Sequence, residues 1–169
     1  MLRLYIMRHA KSSWAIPGAR DFDRELNDRG ISDLTKISQV LKSKQYVPDM
    51  VICSSSIRTT KTFEGIEVAM NPRPKVIFTP TLYSSGLDDY MRVINDVVGS
   101  KSLMIIGHNP MCGTLAHSLV GDGPTELVEL ISYKYPTSTI TVFDFDTQDW
   151  SEVAPGKGML RDCILPKTV

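Results

Sequence analysis

The run Leu103, Met104, Ile105, Ile106 is apolar at every position. Successive strand side chains point to opposite faces, so a run of this kind suits a strand covered on both sides, as central parallel strands flanked by helices are. The rest of the chain supplies matching parts. Leu2 to Met7, Met50 to Cys53 and Val76 to Phe78 are further short apolar runs. Between them lie segments of helical period: Asn27 can cap a helix carrying Ile31, Leu34, Ile37 and Leu41, and a second helix from about Ser56 carries Phe63, Ile66 and Met70 before Pro72 and Pro74 end it. Leu87, Tyr90, Met91, Ile94, Val97 and Val98 form the clearest stripe, with Gly99 placed to terminate it.

After the apolar run, Asn109 and Pro110 read as the cap and first residue of a helix extending from Met111 to Val120. Ile140 to Asp146 alternates, and Trp150 to Leu165 has room for one or two more strands, which together suggest an antiparallel edge. The expectation is an α/β fold: one domain over residues 1–169, a three-layer sandwich with a mostly parallel sheet, helices on both faces and an antiparallel edge.

Charge and cysteine content narrow the function classes. Nineteen basic residues balance nineteen acidic ones. This argues against a nucleic-acid module and means that an anion site must be built from a few focused charges. The longest apolar runs fall short of the ~20 residues of a membrane span, and the first residues do not have signal-peptide organisation, so a cytoplasmic protein without a membrane partner is expected. Cys53, Cys112 and Cys163 are scattered, which supports neither a disulfide framework nor a metal site. No cofactor is implied.

Three turns at predicted strand ends hold the chemistry. Arg8 and His9 follow the first strand, Ser54 to Arg58 the second, and His108 the apolar run Leu103 to Ile106. In an open parallel sheet these turns share the carboxyl edge, where ligands bind, and two of them open helices whose N–H groups favour anions. Arginine offers a planar fork of donors to phosphate oxygens, and histidine a ring nitrogen that can attack phosphorus near neutral pH. Taken singly, each has a plainer explanation: a strand-end arginine more often makes a surface ion pair, and a turn histidine can be structural. Their order along three strand ends favours a common site.

Arg8-His9-Ala10-Lys11, Ser54-Ser55-Ser56-Ile57-Arg58 and Gly107-His108-Asn109-Pro110 resemble the signature of the histidine phosphatase, phosphoglycerate-mutase-like superfamily. Asp21-Phe22-Asp23-Arg24-Glu25-Leu26 with Gly30, Leu82-Tyr83, Tyr135-Pro136-Thr137 and the Trp150 to Gly156 segment are similar to its short phosphohistidine phosphatase branch. The resemblance spans essentially the whole chain. It implies His9 as nucleophile, forming a phosphohistidine enzyme intermediate that water hydrolyses, with Arg8, Arg58 and His108 holding the phosphate oxygens. Two arginines and a protonated His108 would supply the positive charge that phosphoryl transfer needs. Neutral His9 would need its other ring nitrogen protonated, most simply by donating to a backbone carbonyl.

Two features set this chain apart. Ala10 stands where the superfamily commonly has glycine, and Asn109 stands where acid phosphatases have an aspartate. Asp21, Asp23, Asp88 and Asp89 remain open as general acids. Without an obvious acid, the expected substrate has an easy leaving group: phosphohistidine on a protein departs as imidazole, whose conjugate acid has a pKa of ~6.5. A phosphatase of small phosphate monoesters is the alternative, and a phosphate-binding module without turnover is a further one that an intact His9 argues against. A cysteine phosphatase fails on register, because Cys53 and Arg58 enclose four residues where five are required. The expected partners are a phosphorylated protein or a small phosphorylated substrate, and a monomer is expected. His117, the serines Ser54 to Ser56, Lys11, Arg20 and Trp14 are expected to serve structure, helix capping or the rim.

Overall fold

In the computed structural model, which describes residues 1–14 and 16–169, the chain forms one seven-stranded sheet. The strands are β1 (Leu2–Arg8), β2 (Met50–Ser54), β3 (Lys75–Thr79), β4 (Ser102–Gly107), β5 (Val120–Asp122), β6 (Ile140–Phe145) and β7 (Gly158–Ile164). Their order is β3-β2-β4-β1-β6-β7-β5. β4 lies between β2 and β1 and is parallel to both, so its uninterrupted apolar run sits inside the sheet, next to the central strand β1. β6 alone runs antiparallel to its neighbours β1 and β7, and the short β5 lies outside β7.

Among the described residues five α-helices cover the sheet: α1 (Asp28–Lys44), α2 (Ile57–Glu67), α3 (Leu87–Asn95), α4 (Met111–Leu119) and α5 (Thr125–Tyr133). Alternation along the central strands divides the core in two. Leu4, Ile6, Leu103 and Ile105 join Tyr90, Ile94, Leu115 and Ile131 on the face of α3, α4 and α5. Tyr5, Met7, Met104 and Ile106 join Leu34, Ile37, Phe63 and Ile66 on the face of α1 and α2.

Several local expectations shift. Ile31 extends into solvent although its helix packs through Leu34, Ile37 and Leu41. The third helix ends at Asn95, leaving Val98 exposed, and Gly99 adopts a positive φ in the turn beyond it. β3 is an edge strand with only partial burial. The alternating segment at β6 is buried at all six positions, because the Asp144 carboxylate is neutralised by Arg3 at 2.7 Å and Arg161 at 3.0 Å. The helix expected from Met111 to Val120 stops at Leu119; Val120 opens β5, and α5 follows it.

Candidate active site

The parallel arrangement of β1, β2 and β4 brings Arg8, His9, Ser54, Arg58 and His108 to one sheet edge. Close approach to this edge depends on small residues. A Cβ on Gly107 would lie 2.5 Å from the Tyr90 hydroxyl, which donates to Leu82 O at 2.7 Å and accepts from His108 N at 3.2 Å. Gly30 similarly lets the start of α1 press on the Lys11 carbonyl, which a Cβ would strike.

The two histidines face each other with ring centroids 5.3 Å apart. His9 Nδ1 donates to Ala10 O at 2.7 Å, the backbone anchor that a neutral nucleophilic ring requires. Its Nε2 accepts from Arg58 Nε at 3.4 Å. Burial, only partly offset by the Ala10 hydrogen bond and reinforced by Arg58 and Arg8, lowers its pKa to about 4. Ala10 introduces no left-handed backbone; its N–H donates to Thr62 Oγ1 at 2.9 Å. The alanine is therefore an unstrained variant at this position.

His108 is anchored through its opposite nitrogen. Nε2 pairs with Ser54 Oγ at 2.8 Å, and Nδ1 is buried without a hydrogen-bond partner. Burial, then His9 and Arg58, lower its pKa to about 3, so at neutral pH this ring is uncharged rather than the cation expected. Burial costs the charged form more than the nearby Asp21 carboxylate repays. Ser54 is thus a partner of His108. Ser56, the residue before α2, makes no side-chain cap and instead meets Thr59 Oγ1 at 2.6 Å. Serines two to four residues before Arg58 read as caps in sequence; only the fold shows that Ser54 and, at 3.5 Å, Ser56 reach His108 Nε2, more than fifty residues away.

Arg8 Nη1 donates to Tyr135 O at 3.0 Å, while its Nε is buried without a partner. Ser138 secures the same loop from the other side: at φ 64° its N–H donates to both Arg8 O and His9 O at 3.1 Å. A serine held in the left-handed region costs about 1 kcal/mol or more, and this pair of bonds fixes the loop there. Asn109 does not cap α4 as N-cap residue, since the helix starts after Pro110, but its Oδ1 accepts from Gly113 N and its amide donates to Tyr135 O at 2.9 Å.

Arg58 reaches outward to the rim. Nη1 donates to Asp21 O at 2.7 Å and Nη2 to Asp21 Oδ2 at 3.0 Å. Tyr83 OH donates to the same carboxylate at 2.7 Å, and Arg24 Nη1 to its other oxygen at 3.0 Å. Desolvation alone would raise the Asp21 pKa, but bonds from Tyr83, Arg24 and Arg58 outweigh it and lower it to about 2. The Tyr83 ring stands edge-on to His108, with centroids 5.4 Å apart. Of the four candidate acids, Asp21 bonds Arg58 and is ionised, whereas Asp88 is exposed in the first turn of α3. Asp23 pairs with exposed Arg20 at 2.7 Å, and Asp89 bonds Gly86 N and Arg92 at the start of α3.

The remaining candidates lie apart. Trp14 stacks under the Arg24 guanidinium at 3.2 Å, and His117 meets Ser132 Oγ at 3.3 Å on the surface. Cys53 and Cys112 are fully buried, and burial raises both thiol pKa values, which removes them as nucleophiles. Among the described residues no group of three or more His, Cys, Asp or Glu side chains is arranged to hold a metal, and no helix is long and apolar enough to cross a membrane.

A histidine pair and two arginines at the carboxyl edge of a mixed α/β sheet define a phosphoryl-transfer class of protein, and residues 4–84 match the family model of the histidine phosphatase superfamily, branch 1. The chain belongs to that superfamily, within the short SixA-like branch. An uncharacterised protein of Mycobacterium leprae is 30% identical over 145 residues, spanning 82% of this chain and 86% of the relative. A structure of the candidate phosphohistidine phosphatase SixA from Agrobacterium tumefaciens is 27% identical and superposes with a TM-score of 0.83 over 98% of each chain. The protein histidine phosphatase SixA solved with tungstate shares the fold, at 23% identity and a TM-score of 0.73 over 99% of each chain.

Proposed function

We propose that this phosphatase acts on phosphohistidine carried by a protein, through a phosphohistidine intermediate on His9. In this reading His9 Nε2 attacks phosphorus as the substrate's P–N bond breaks. Arg8, Arg58 and His108 take the phosphoryl oxygens, and the unpartnered Arg8 Nε and His108 Nδ1 are suited to that role. An arriving phosphoryl dianion would favour the protonated form of His108 that burial disfavours. The substrate ring leaves as neutral imidazole when its other nitrogen already carries a proton, so no enzyme acid is needed. Water then attacks the His9 phosphorus, breaking the second P–N bond and releasing inorganic phosphate.

One observation carries the substrate choice. The carboxylate at the mouth, Asp21, is held ionised by Tyr83, Arg24 and Arg58, and so lacks the proton that an alkoxide leaving group would require. The SixA neighbours point to the same substrate class.

The test is to incubate the protein with a phosphohistidine peptide and, separately, with phosphoserine and sugar phosphates, quench rapidly, and assay acid-labile phosphate on the protein. Label on His9 and fastest turnover of the phosphohistidine peptide are expected. His9→Ala should lose the label and at least about 10⁴-fold in rate. Binding without release would overturn catalysis; faster release from monoesters would overturn only the substrate.

A further inference from the structure

Beside the phosphate pocket lies a second concavity of about 300 Å³, lined by Lys11, Arg29, Asp33, Lys134, Thr137 and Lys167 among others. Its charge is unlike that of the molecule. The whole chain is neutral, yet this groove gathers four cations around one carboxylate. That carboxylate, Asp33, is buried and faces Arg29 at 3.7 Å. Lys11, Lys134 and Lys167 are exposed and have no ion-pair partner among the described residues.

The fold fixes where this groove stands relative to His9. β7 runs in the same direction as β1, since β6 is antiparallel to both. Met7 is level with Ile140, and Ile140 with Ile164, so the segment carrying Lys167 leaves the same sheet edge as His9, two strands away. Two strand spacings are about 10 Å, the length of about three residues of extended peptide. The loops are also shared. Lys11 follows His9 by two residues, and Lys134 and Thr137 belong to the loop whose Tyr135 carbonyl and Ser138 N–H hold Arg8 and His9.

The geometry points to this groove as the docking site for an acidic stretch of the phosphoprotein, aspartate or glutamate residues about three positions from the phosphorylated histidine. This rests on the proposed reading of the protein as a phosphohistidine phosphatase. Three unpaired lysines in one concavity beside the nucleophile favour a carboxylate-bearing segment and set an electrostatic preference, strongest at low salt.

Two measurements test it. The first compares kcat/KM for phosphohistidine peptides carrying glutamates about three residues from the phosphohistidine with their glutamine counterparts, against phosphoramidate as a small substrate. A five- to tenfold preference for glutamate, expressed in KM and lost at high salt, is expected, on the order of a few rim charge pairs. Lys134→Glu/Lys167→Glu should abolish the preference and Lys134→Gln/Lys167→Gln reduce it. Equal kcat/KM for both peptides in the unmodified protein, or a preference that survives charge reversal, overturns the proposal. The second measures fluorescence anisotropy of the unphosphorylated glutamate and glutamine peptides. It reads the groove even if no phosphohistidine is turned over: selective glutamate binding lost on charge reversal supports the docking site, and indifference to charge overturns it.

Discussion

The floor and the rim of the candidate site shift their ionisable groups by opposite balances of the same forces. On the floor, burial dominates and keeps His9 and His108 neutral. At the rim, burial also opposes charge on Asp21, but three hydrogen bonds from Tyr83, Arg24 and Arg58 overcome it. The lesson is chemical. A neutral floor leaves a lone pair on His9 Nε2, while an ionised rim withholds the proton that a poor leaving group would need.

The two histidines sharpen the contrast within the floor itself. His9 anchors Nδ1 on a backbone carbonyl and presents Nε2; His108 anchors Nε2 on Ser54 and leaves Nδ1 unpartnered. Opposite tethers turn two identical side chains into different tools.

The largest way to break the floor–rim comparison is paired substitution. Arg58→Ala should cost about 10²- to 10³-fold in kcat with a phosphohistidine peptide, because it removes a charged donor beside the nucleophile. Asp21→Asn should change that rate by less than about tenfold. Steady-state kinetics on both variants decide it: a larger loss at Asp21 would make the rim carboxylate the missing acid.

Next in size is the response to pH. Unfolded histidine titrates near 6.5, whereas folded His9 titrates at about 4 and His108 at about 3. Between those values the unfolded chain binds more protons, so stability present above pH 6.5 is lost as pH falls toward 4. The His9 contribution is about 3 kcal/mol over the whole window. Asp21, with its depressed pKa, loses its stabilising effect only as pH falls below the ordinary carboxylate range. Chemical denaturation from pH 7 to 4 should therefore show the floor failing first. The acid limb of kcat/KM should lie near pH 4 to 5 for the same reason, since the nucleophilic form of free His9 persists to that point; a limb at 6.5 would contradict the burial of the ring.

Ser54→Ala should destabilise the fold by about 1–2 kcal/mol by removing the shorter of the two serine contacts to buried His108 Nε2, leaving Ser56 Oγ at 3.5 Å. Thermal or denaturant unfolding measures this, and an unchanged midpoint would show that Ser54 is dispensable to the floor. The smallest expected effect is Ala10→Gly. With Ala10 in an ordinary backbone conformation, the glycine should cost about 0.5–1 kcal/mol of stability and leave kcat unchanged.

Much of this arrangement was legible in the residues. The apolar run of β4 specified a strand covered on both faces, and turns after three such strands had to share one edge. Arg8, His9, Arg58 and His108 could thus be gathered without coordinates. What escaped is set by distant partners: β6, legible as an alternating strand, is buried throughout because Arg3 and Arg161 neutralise Asp144, and β5 exists only through pairing with β7.

The sequence by itself determined the layered α/β order and the gathering of Arg8, His9, Arg58 and His108 at one sheet edge, because periodicity and strand-end position are local properties. Tertiary structure alone decided their protonation and company. Desolvation, the Ser54–His108 bond, the capture of Asp21 by Arg58 and Tyr83, and the meeting of Lys11, Lys134 and Lys167 all depend on groups brought together from distant parts of the chain. Burial and electrostatics act through space, and distance in space is what a linear pattern does not record.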